Sequence, residues 1–239
     1  MVTVDRLRRI EVLWDGIADP DEYPFSIPAL RRLERLELPA PVTFLTGENG
    51  SGKSTLVEAI AIAAGVNPAG GSRNLLPGGG VRTESSLGEH LRLVWGERPA
   101  TAFFLRAETF FNTATAYGAA GSGDLHGQSH GQQFLEAART LIYERSLCLM
   151  DEPESALSVI GQLGLLRRMH ELVAQETQIV VATHSPILLA YPDACIYRLD
   201  DSGVERIAYE ESQPYTLTKS FLDTPERFLH HLFDETGEA

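Results

Sequence analysis

The sequence predicts a mixed α/β fold with a mixed central sheet, an antiparallel β lobe and a helical subdomain. Strand-like and helix-like patterns alternate along the 239 residues, and glycine-rich breaks separate them. Two short runs, Pro41–Thr46 and Leu147–Met150, are mainly apolar, which is typical of strands buried on both faces. Other segments alternate apolar and charged residues, which indicates half-exposed antiparallel strands.

The antiparallel lobe is predicted mainly over residues 1–45 and 88–108. In its first part, "RRIEVLW" and "RRLERLEL" alternate apolar with charged side chains. In its second part, "HLRLVW" and "TAFFLRAE" are close in sequence, and their strand-like composition predicts a hairpin.

The rest of the chain supplies helices, two further strands and a tail. "QQFLEAARTLIYER" predicts a helix within a helical region over residues 109–146, and a long helix follows the strand "LCLM". After the strand "QIVVAT", a hairpin turned at residues 201–203 and a helical tail form a C-terminal region over 194–239. No internal repeat or heptad run is visible, so we predict a single domain over residues 1–239.

The composition indicates a cytoplasmic protein that is not inserted in a membrane. No apolar run is long enough to span a bilayer, and the N-terminus "MVTVDRLRRIEV" is unlike a signal peptide. Cys148 and Cys195 have no metal-ligand spacing, so we expect buried thiols in a reducing compartment.

The net charge of −13 disfavours a broadly basic nucleic-acid surface. Six arginines in the first 35 residues form either a local basic patch that could bind DNA or an ordinary solvated face. They are Arg6, Arg8, Arg9, Arg31, Arg32 and Arg35.

Glycines and small residues surround one lysine directly after the first buried strand. A flexible turn is the plainer interpretation, but the spacing Gly47-x-x-x-x-Gly52-Lys53-Ser54 matches the phosphate-binding loop and a helical pattern follows it. Backbone N–H groups and the helix N-terminus would bind an anion there. Lys53 would neutralise the β and γ phosphates, and Ser54 would bind Mg²⁺. The predicted nucleotide-binding residues are Gly47, Glu48, Asn49, Gly50, Ser51, Gly52, Lys53, Ser54 and Thr55.

Two carboxylates, Asp151 and Glu152, follow the second buried strand. Because ligands bind at the carboxyl ends of strands in open α/β sheets, both would lie near the glycine-rich loop. Asp151 would bind the Mg²⁺ that bridges the phosphates, and Glu152 would act as general base toward a water. A solvated acidic pair is the alternative. The chain lacks the Asn-Lys-x-Asp motif of guanine binding, so ATP is the predicted nucleotide.

The motif "DEPESALS", followed after a helix by "VVATHSP", resembles the ATP-binding-cassette (ABC) ATPases. The resemblance implies a P-loop NTPase fold of the ABC type, which hydrolyses ATP with Mg²⁺. It also implies that residues 155–157 form the D-loop and that His184 is a switch histidine acting on the γ-phosphate.

The "SHGQQ" segment lies where this family has its signature sequence. Ser129 and Gly131 keep the serine and second glycine of the signature, while His130 replaces the first glycine. Ser129-x-x-Gln132 is also a capping box that begins a helix, and the two interpretations are compatible. The resemblance implies a homodimer, formed head-to-tail on ATP binding, in which Ser129, Gly131 and Gln132 contact the γ-phosphate bound by the other chain.

Two aspects of the family pattern stay open. The Q-loop glutamine is replaced by Arg106-Ala107-Glu108, so that Glu108 is either a metal ligand or a surface charge at a hinge. Tyr23 and Phe25 lie upstream of the glycine-rich loop, where a residue that stacks on adenine is expected, and core packing is the alternative for both.

The motifs most resemble small stand-alone bacterial ATPases of AAA type, related to the heads of SMC and DNA-repair proteins. The interval between loop and signature is too short for a coiled-coil insert. The resemblance implies an ATP-driven conformational switch in DNA-related or defence-related processes, with DNA or a protein as client. The alternative is a transporter's nucleotide-binding subunit, which the unusual residues 106–108 disfavour because the coupling groove normally follows the Q-loop.

Overall fold

The computed structural model describes residues 7–67, 71–72, 86–99, 101–107, 134, 136 and 138–234. The strands in these residues are β1 (Leu7–Val12), β2 (Arg35–Glu37), β3 (Val42–Thr46), β4 (Gly71–Ser72), β5 (Leu91–Trp95), β6 (Thr101–Arg106), β7 (Ser146–Asp151), β8 (Gln178–Ala182), β9 (Cys195–Asp200) and β10 (Gly203–Ile207). The α-helices with bounds in these residues are α1 (Pro28–Arg31), α2 (Lys53–Ala63), α3 (Val159–Ala174), α4 (Pro186–Leu189), α5 (Gln213–Asp223) and α6 (Pro225–Asp234). Short 3-10 helices span Trp14–Gly16, Ser86–His90, Pro153–Ala156 and Tyr209–Glu211.

The larger sheet has the strand order β10-β9-β3-β8-β7-β6-β4. Its five inner strands run parallel, while β10 and β4 add antiparallel edges. The carboxyl ends of β3, β8, β7 and β6 therefore meet at one edge of the sheet. The predicted α/β fold with a mixed central sheet is confirmed.

Side chains of the inner strands alternate between two hydrophobic cores. In β7, Leu147 and Leu149 belong to the core that contains α2, whereas Cys148 and Met150 belong to the core that contains α3. All four are fully buried. Because β7 packs against a core on each face, its run from Leu147 to Met150 is continuously apolar.

The smaller sheet is antiparallel, with the order β2-β1-β5, and it forms the predicted lobe. One buried amide ties the lobe to the central sheet. The Leu7 backbone N–H donates to Gln178 Oε1 at 2.8 Å, and Gln178 Nε2 donates to the Leu7 carbonyl oxygen at 2.9 Å. This pair satisfies both backbone groups at the start of β1 with one side chain from β8.

The predicted hairpin between "HLRLVW" and "TAFFLRAE" is wrong. β5 pairs with β1 in the lobe, whereas β6 lies in the central sheet, parallel to β7 and antiparallel to β4. The physical reason is burial, because Ala102, Phe103, Phe104 and Leu105 are all buried and require cover on both faces. The lobe predicted over residues 88–108 therefore ends with β5.

The C-terminal region has the predicted elements. β9 and β10 form a hairpin in which Gly203 pairs with Asp200, and the Ser202 backbone N–H donates to Asp200 Oδ1 at 2.8 Å. Pro214 lies in the first turn of α5, and α6 begins at Pro225. None of the helices in the described ranges combines the length and the apolar character that crossing a membrane requires.

Candidate active site

The loop between β3 and α2 requires glycine at two positions. Gly47 has a φ of 150°, and a Cβ on it would lie 2.2 Å from the Leu199 carbonyl oxygen. Gly52 has a φ of 98°, and a Cβ on it would lie 3.1 Å from Ile27 Cγ2. Residues with a side chain rarely adopt such backbone angles, so replacing either glycine would displace the loop.

Lys53 begins α2 and turns back over this loop. Its Nζ donates to the carbonyl oxygens of Gly47 and Glu48, at 2.9 Å each. Burial lowers the pKa of Lys53, and the carboxylates of Glu152 and Asp151 oppose this shift. An ammonium group has three donors, so these two bonds leave one for a ligand oxygen.

The remaining loop residues have polar groups suited to an anionic ligand. Ser51 Oγ is buried and has no hydrogen-bond partner in the described part of the chain. Buried hydroxyls are almost always bonded, so a ligand oxygen would satisfy it. Glu48, Asn49 and Gly50 are exposed at the tip of the loop, and Ser54 and Thr55 are half-buried at the start of α2.

A cavity of about 670 Å³ borders the outer side of the loop. It is lined by loop residues 47–51, by residues 198–202 of the β9–β10 hairpin and by Gln213 at the start of α5. Gln213 Nε2 also donates to Glu48 Oε1 at 3.1 Å. The C-terminal tail is therefore in direct contact with the loop.

Asp151 is the last residue of β7, two strands from the loop in the sheet order, and Glu152 follows it. Asp151 is 5% exposed, and Glu152 has left-handed backbone angles, with φ 45° and ψ 53°. The Glu152 backbone N–H donates to the Ala182 carbonyl oxygen at 2.9 Å, which ties this turn to the end of β8. A glutamate held in a sparsely populated conformation is typical of functional sites.

His184 follows β8 and contacts the two glutamates after β7, Glu152 and Glu154. Its Nε2 lies 3.4 Å from Glu152 Oε1, and its backbone N–H donates to Glu154 Oε1 at 2.6 Å. The neighbouring Ser185 caps α4, since Ser185 Oγ accepts from the N–H groups of Ile187 and Leu188. The His184 imidazole has no capping role and faces Glu152.

Arg106, the last residue of β6, lies beside Asp151. The two residues are paired in the β6–β7 register, and Arg106 Nε is 3.5 Å from Asp151 Oδ2. Arg106 Nη1 donates to Glu58 Oε2 at 2.9 Å. The sequence motifs did not indicate these contacts, nor that between Glu154 and His184, because they depend on strand register.

The donor set at this edge suits a magnesium ion bound together with a phosphate ligand. Asp151 and Ser54 supply the hard oxygen atoms that Mg²⁺ prefers. In the described ranges, no group of three or more His, Cys, Asp or Glu side chains could hold a metal ion without such a ligand. The phosphate oxygens would therefore have to complete the coordination of Mg²⁺.

Comparisons with known proteins identify the family. Residues 25–93 match a family model described as an AAA domain. The chain is 35% identical over 161 residues to the cytochrome c biogenesis ATP-binding export protein CcmA of Rhodopseudomonas palustris, covering 60% of this chain and 78% of that protein. The chain therefore belongs to the ABC-type ATPase superfamily.

Further similarities agree with this family. The aliphatic sulfonates import ATP-binding protein SsuB of Delftia acidovorans is 35% identical over 162 residues, and the chain spans 63% of its length. The structure of cbiO1 from Clostridium perfringens, part of the ABC transporter complex cbiONQ, matches with a TM-score of 0.52 at 18% identity. That match covers 96% of this chain and 99% of cbiO1, and it supports the fold alone.

In this ABC-type ATPase, the two aromatic residues that precede the glycine-rich loop, Tyr23 and Phe25, differ in burial and in their contacts. Phe25 is 5% exposed and packs against Trp14 and His90, so it belongs to the core. Tyr23 is 63% exposed, and its hydroxyl lies 3.2 Å from Thr55 Oγ1 at the start of α2. Tyr23 is therefore the aromatic that lies beside the glycine-rich loop.

Some predicted ABC-type site residues cannot be placed. The proposed metal ligand Glu108 and the signature residues Ser129, Gly131 and Gln132 lie outside the described residues. Their roles stay predictions.

Proposed function

We propose that this chain is a single-domain ATPase that hydrolyses ATP with Mg²⁺. The observation that carries the proposal is the approach of Glu152 to His184, 3.4 Å apart, at the edge of the sheet where Lys53 and Asp151 also lie. The carboxylates of Glu152 and Asp151 act electrostatically on the Lys53 ammonium, so these three groups share one charged site.

The loop from Gly47 to Thr55 holds the triphosphate in this proposal. Its backbone N–H groups and the N-terminus of α2 face the phosphates, and Ser51 Oγ gains the partner that it lacks among the described residues. Lys53 already holds two loop carbonyls, and its third donor binds the β and γ phosphates.

Catalysis is proposed to depend on two side chains, Glu152 and His184, and on a metal ion. Glu152, which has left-handed backbone angles directly after β7, accepts the proton of an attacking water. His184 binds the γ-phosphate and is kept beside Glu152 by the bond from its backbone N–H to Glu154. Asp151 and Ser54 would hold Mg²⁺, with Glu108 as a further proposed ligand, and the ion would supply positive charge against the charge that develops on the phosphates.

ATP binding is proposed to join two copies head-to-tail. Ser129, Gly131 and Gln132 of one chain would contact the γ-phosphate in the site of the other, so that hydrolysis opens the dimer. The support for this step is the resemblance of "SHGQQ" to the ABC signature. The dimer would work as a cytoplasmic conformational switch in a DNA-related or defence-related process.

Lys53→Ala tests the nucleotide site, with Lys219→Ala as the matched control, because Lys219 is exposed on α5. Removing the ammonium leaves the phosphate charge unbalanced, so we expect at least a hundredfold loss of ATP affinity in calorimetry. Lys219→Ala should bind ATP as the wild type does. Equal affinity of the Lys53→Ala variant would contradict the assignment of the loop.

A second candidate, a transporter's nucleotide-binding subunit, is favoured by the similarity to SsuB and CcmA, whose names describe import and export. Such a subunit requires a membrane partner. Co-purification of tagged protein with an integral membrane protein from mild detergent would support this candidate. A homodimer that forms on ATP binding, without any membrane protein, would instead support the first candidate, the ATP-driven switch.

A DNA client can be tested on the arginines of the N-terminal region. Three of them have acidic partners: Arg9 lies 2.7 Å from Glu11, Arg31 2.8 Å from Asp21 and Arg35 3.9 Å from Glu37. We therefore expect weak, steeply salt-dependent duplex binding in an electrophoretic shift.

Changing Arg8, Arg9, Arg31 and Arg32 to glutamate should abolish that shift. Tight binding that survives the four changes would exclude this face as the DNA surface.

A further inference from the structure

Arg106 is a cation placed between two carboxylates at the proposed metal site. Its Nη1 is 2.9 Å from Glu58 Oε2, and its Nε is 3.5 Å from Asp151 Oδ2. The three side chains are mostly buried, with exposed fractions of 24% for Arg106, 13% for Glu58 and 6% for Asp151. Charges in such a place are weakly screened by solvent.

The helix α2 brings Glu58 to the same place as the proposed metal ligand Ser54. These residues are four apart, so their side chains lie on one face of the helix. Arg106 comes from β6 and Asp151 from the adjacent end of β7. The guanidinium group therefore spans the two elements that supply the proposed ligands of Mg²⁺.

We propose that Arg106 is an internal counter-ion that competes with Mg²⁺ for Asp151. Without nucleotide, the guanidinium forms an ion pair with Asp151 and excludes a free divalent cation. When the metal arrives with ATP, Arg106 gives up Asp151 and keeps its bond to Glu58. This inference rests on the proposed function, and it makes metal entry depend on the nucleotide.

The charges of the site explain the dependence. A dication that enters without ATP meets the cations of Arg106 and Lys53, and the Asp151 carboxylate is already paired. A dication that enters with ATP brings the anionic triphosphate, which offsets both cations. Glu58 is the closer partner of Arg106, so the arginine keeps a hydrogen-bonded anion in either state.

The test is Mn²⁺ binding to the nucleotide-free protein, measured by electron paramagnetic resonance of the free ion. Arg106→Gln removes the charge but keeps a long polar side chain, and we expect it to lower the Kd for one Mn²⁺ at least tenfold relative to wild type. Arg106→Lys keeps the charge and should bind as weakly as wild type. Arg106→Gln combined with Asp151→Asn should lose the added site, which would place the ion at Asp151.

Two outcomes would overturn the inference. Arg106→Gln could bind Mn²⁺ no better than wild type, or Arg106→Lys could bind as tightly as Arg106→Gln, and either would show that the arginine charge does not exclude the metal. Circular dichroism of each variant checks that it is folded. Because ATP is absent from this measurement, failure here leaves the ATPase proposal standing, and loss of ATP binding in Lys53→Ala is tested separately.

Discussion

His184 Nε2 lies 3.4 Å from Glu152 Oε1, across the ends of two adjacent parallel strands. Two hydrogen bonds donated by backbone N–H groups hold this approach in place. Glu152 N–H is bonded to the end of β8, and His184 N–H is bonded to Glu154 in the turn after β7. The end of β8 therefore positions Glu152, and the turn after β7 positions His184. This arrangement suits two residues that are proposed to act on one γ-phosphate.

His184→Ala should leave ATP affinity nearly unchanged and slow hydrolysis at least tenfold, because the imidazole is proposed to act on the γ-phosphate and not on the base. Steady-state phosphate release gives kcat, and calorimetry gives the affinity. Ser185→Ala is the matched control. It removes the cap of α4 and should lower stability by about 1 kcal/mol with little effect on kcat. A His184→Ala variant with wild-type turnover and a lowered melting temperature would show that the residue is only structural.

We propose that Tyr23, an exposed aromatic beside Thr55, stacks on the base, so Tyr23→Ala should weaken ATP binding by about 1–3 kcal/mol. Tyr23→Phe keeps the ring and should retain most of the affinity. Tyr143→Ala is the control, because Tyr143 is similarly exposed at 62%.

Inorganic triphosphate is the decisive ligand for this prediction. It has no base, so Tyr23→Ala should bind it as wild type does. If triphosphate and ATP lose affinity equally, Tyr23 supports the loop through Thr55 and does not stack on adenine.

Stability should fall at alkaline pH because of Cys148. Burial raises the pKa of the Cys148 thiol from 9.0 to about 12. The unfolded chain releases this proton near pH 9 while the folded chain keeps it, so unfolding is favoured as pH rises between these values. The contribution is about 1.4 kcal/mol per pH unit.

Urea unfolding at pH 8, 9, 10 and 11 measures this slope. Cys148→Ala should lower the slope by the contribution of one group, whatever its effect on stability at pH 8. An unchanged slope would contradict the assignment.

The sequence predicted the parts of the site that lie within continuous motifs. The glycine-rich loop and the acidic pair after β7 were predicted from local strand–turn–helix patterns, whereas His184 after β8 was predicted from the resemblance to the ABC ATPases. Contacts that depend on register could not be predicted. Arg106 meets Asp151 only because β6 lies parallel to β7, whereas the sequence was interpreted as a hairpin between β5 and β6.

A signal for the correct arrangement was nevertheless present. The run from Ala102 to Leu105 has no polar residue, unlike β1 and β2, and such a run belongs to a sheet covered on both faces. Similarly, the positions of Tyr23 and Phe25 could not be separated by sequence. Both are aromatic and close to the loop, and only the packing of Phe25 against Trp14 distinguishes them.

The most direct test of the account is the mass of Glu152→Gln in ATP and Mg²⁺. The substitution keeps the shape of the side chain but removes the proposed base, so ATP should bind and persist between two chains. Light scattering after size exclusion should show a monomer without nucleotide and a doubled mass with it. Adding Ser129→Arg should abolish the dimer without weakening ATP binding, because a bulky cation would block contact with the other chain. A Glu152→Gln protein that stays monomeric in saturating ATP would contradict the composite site and the switch built on it.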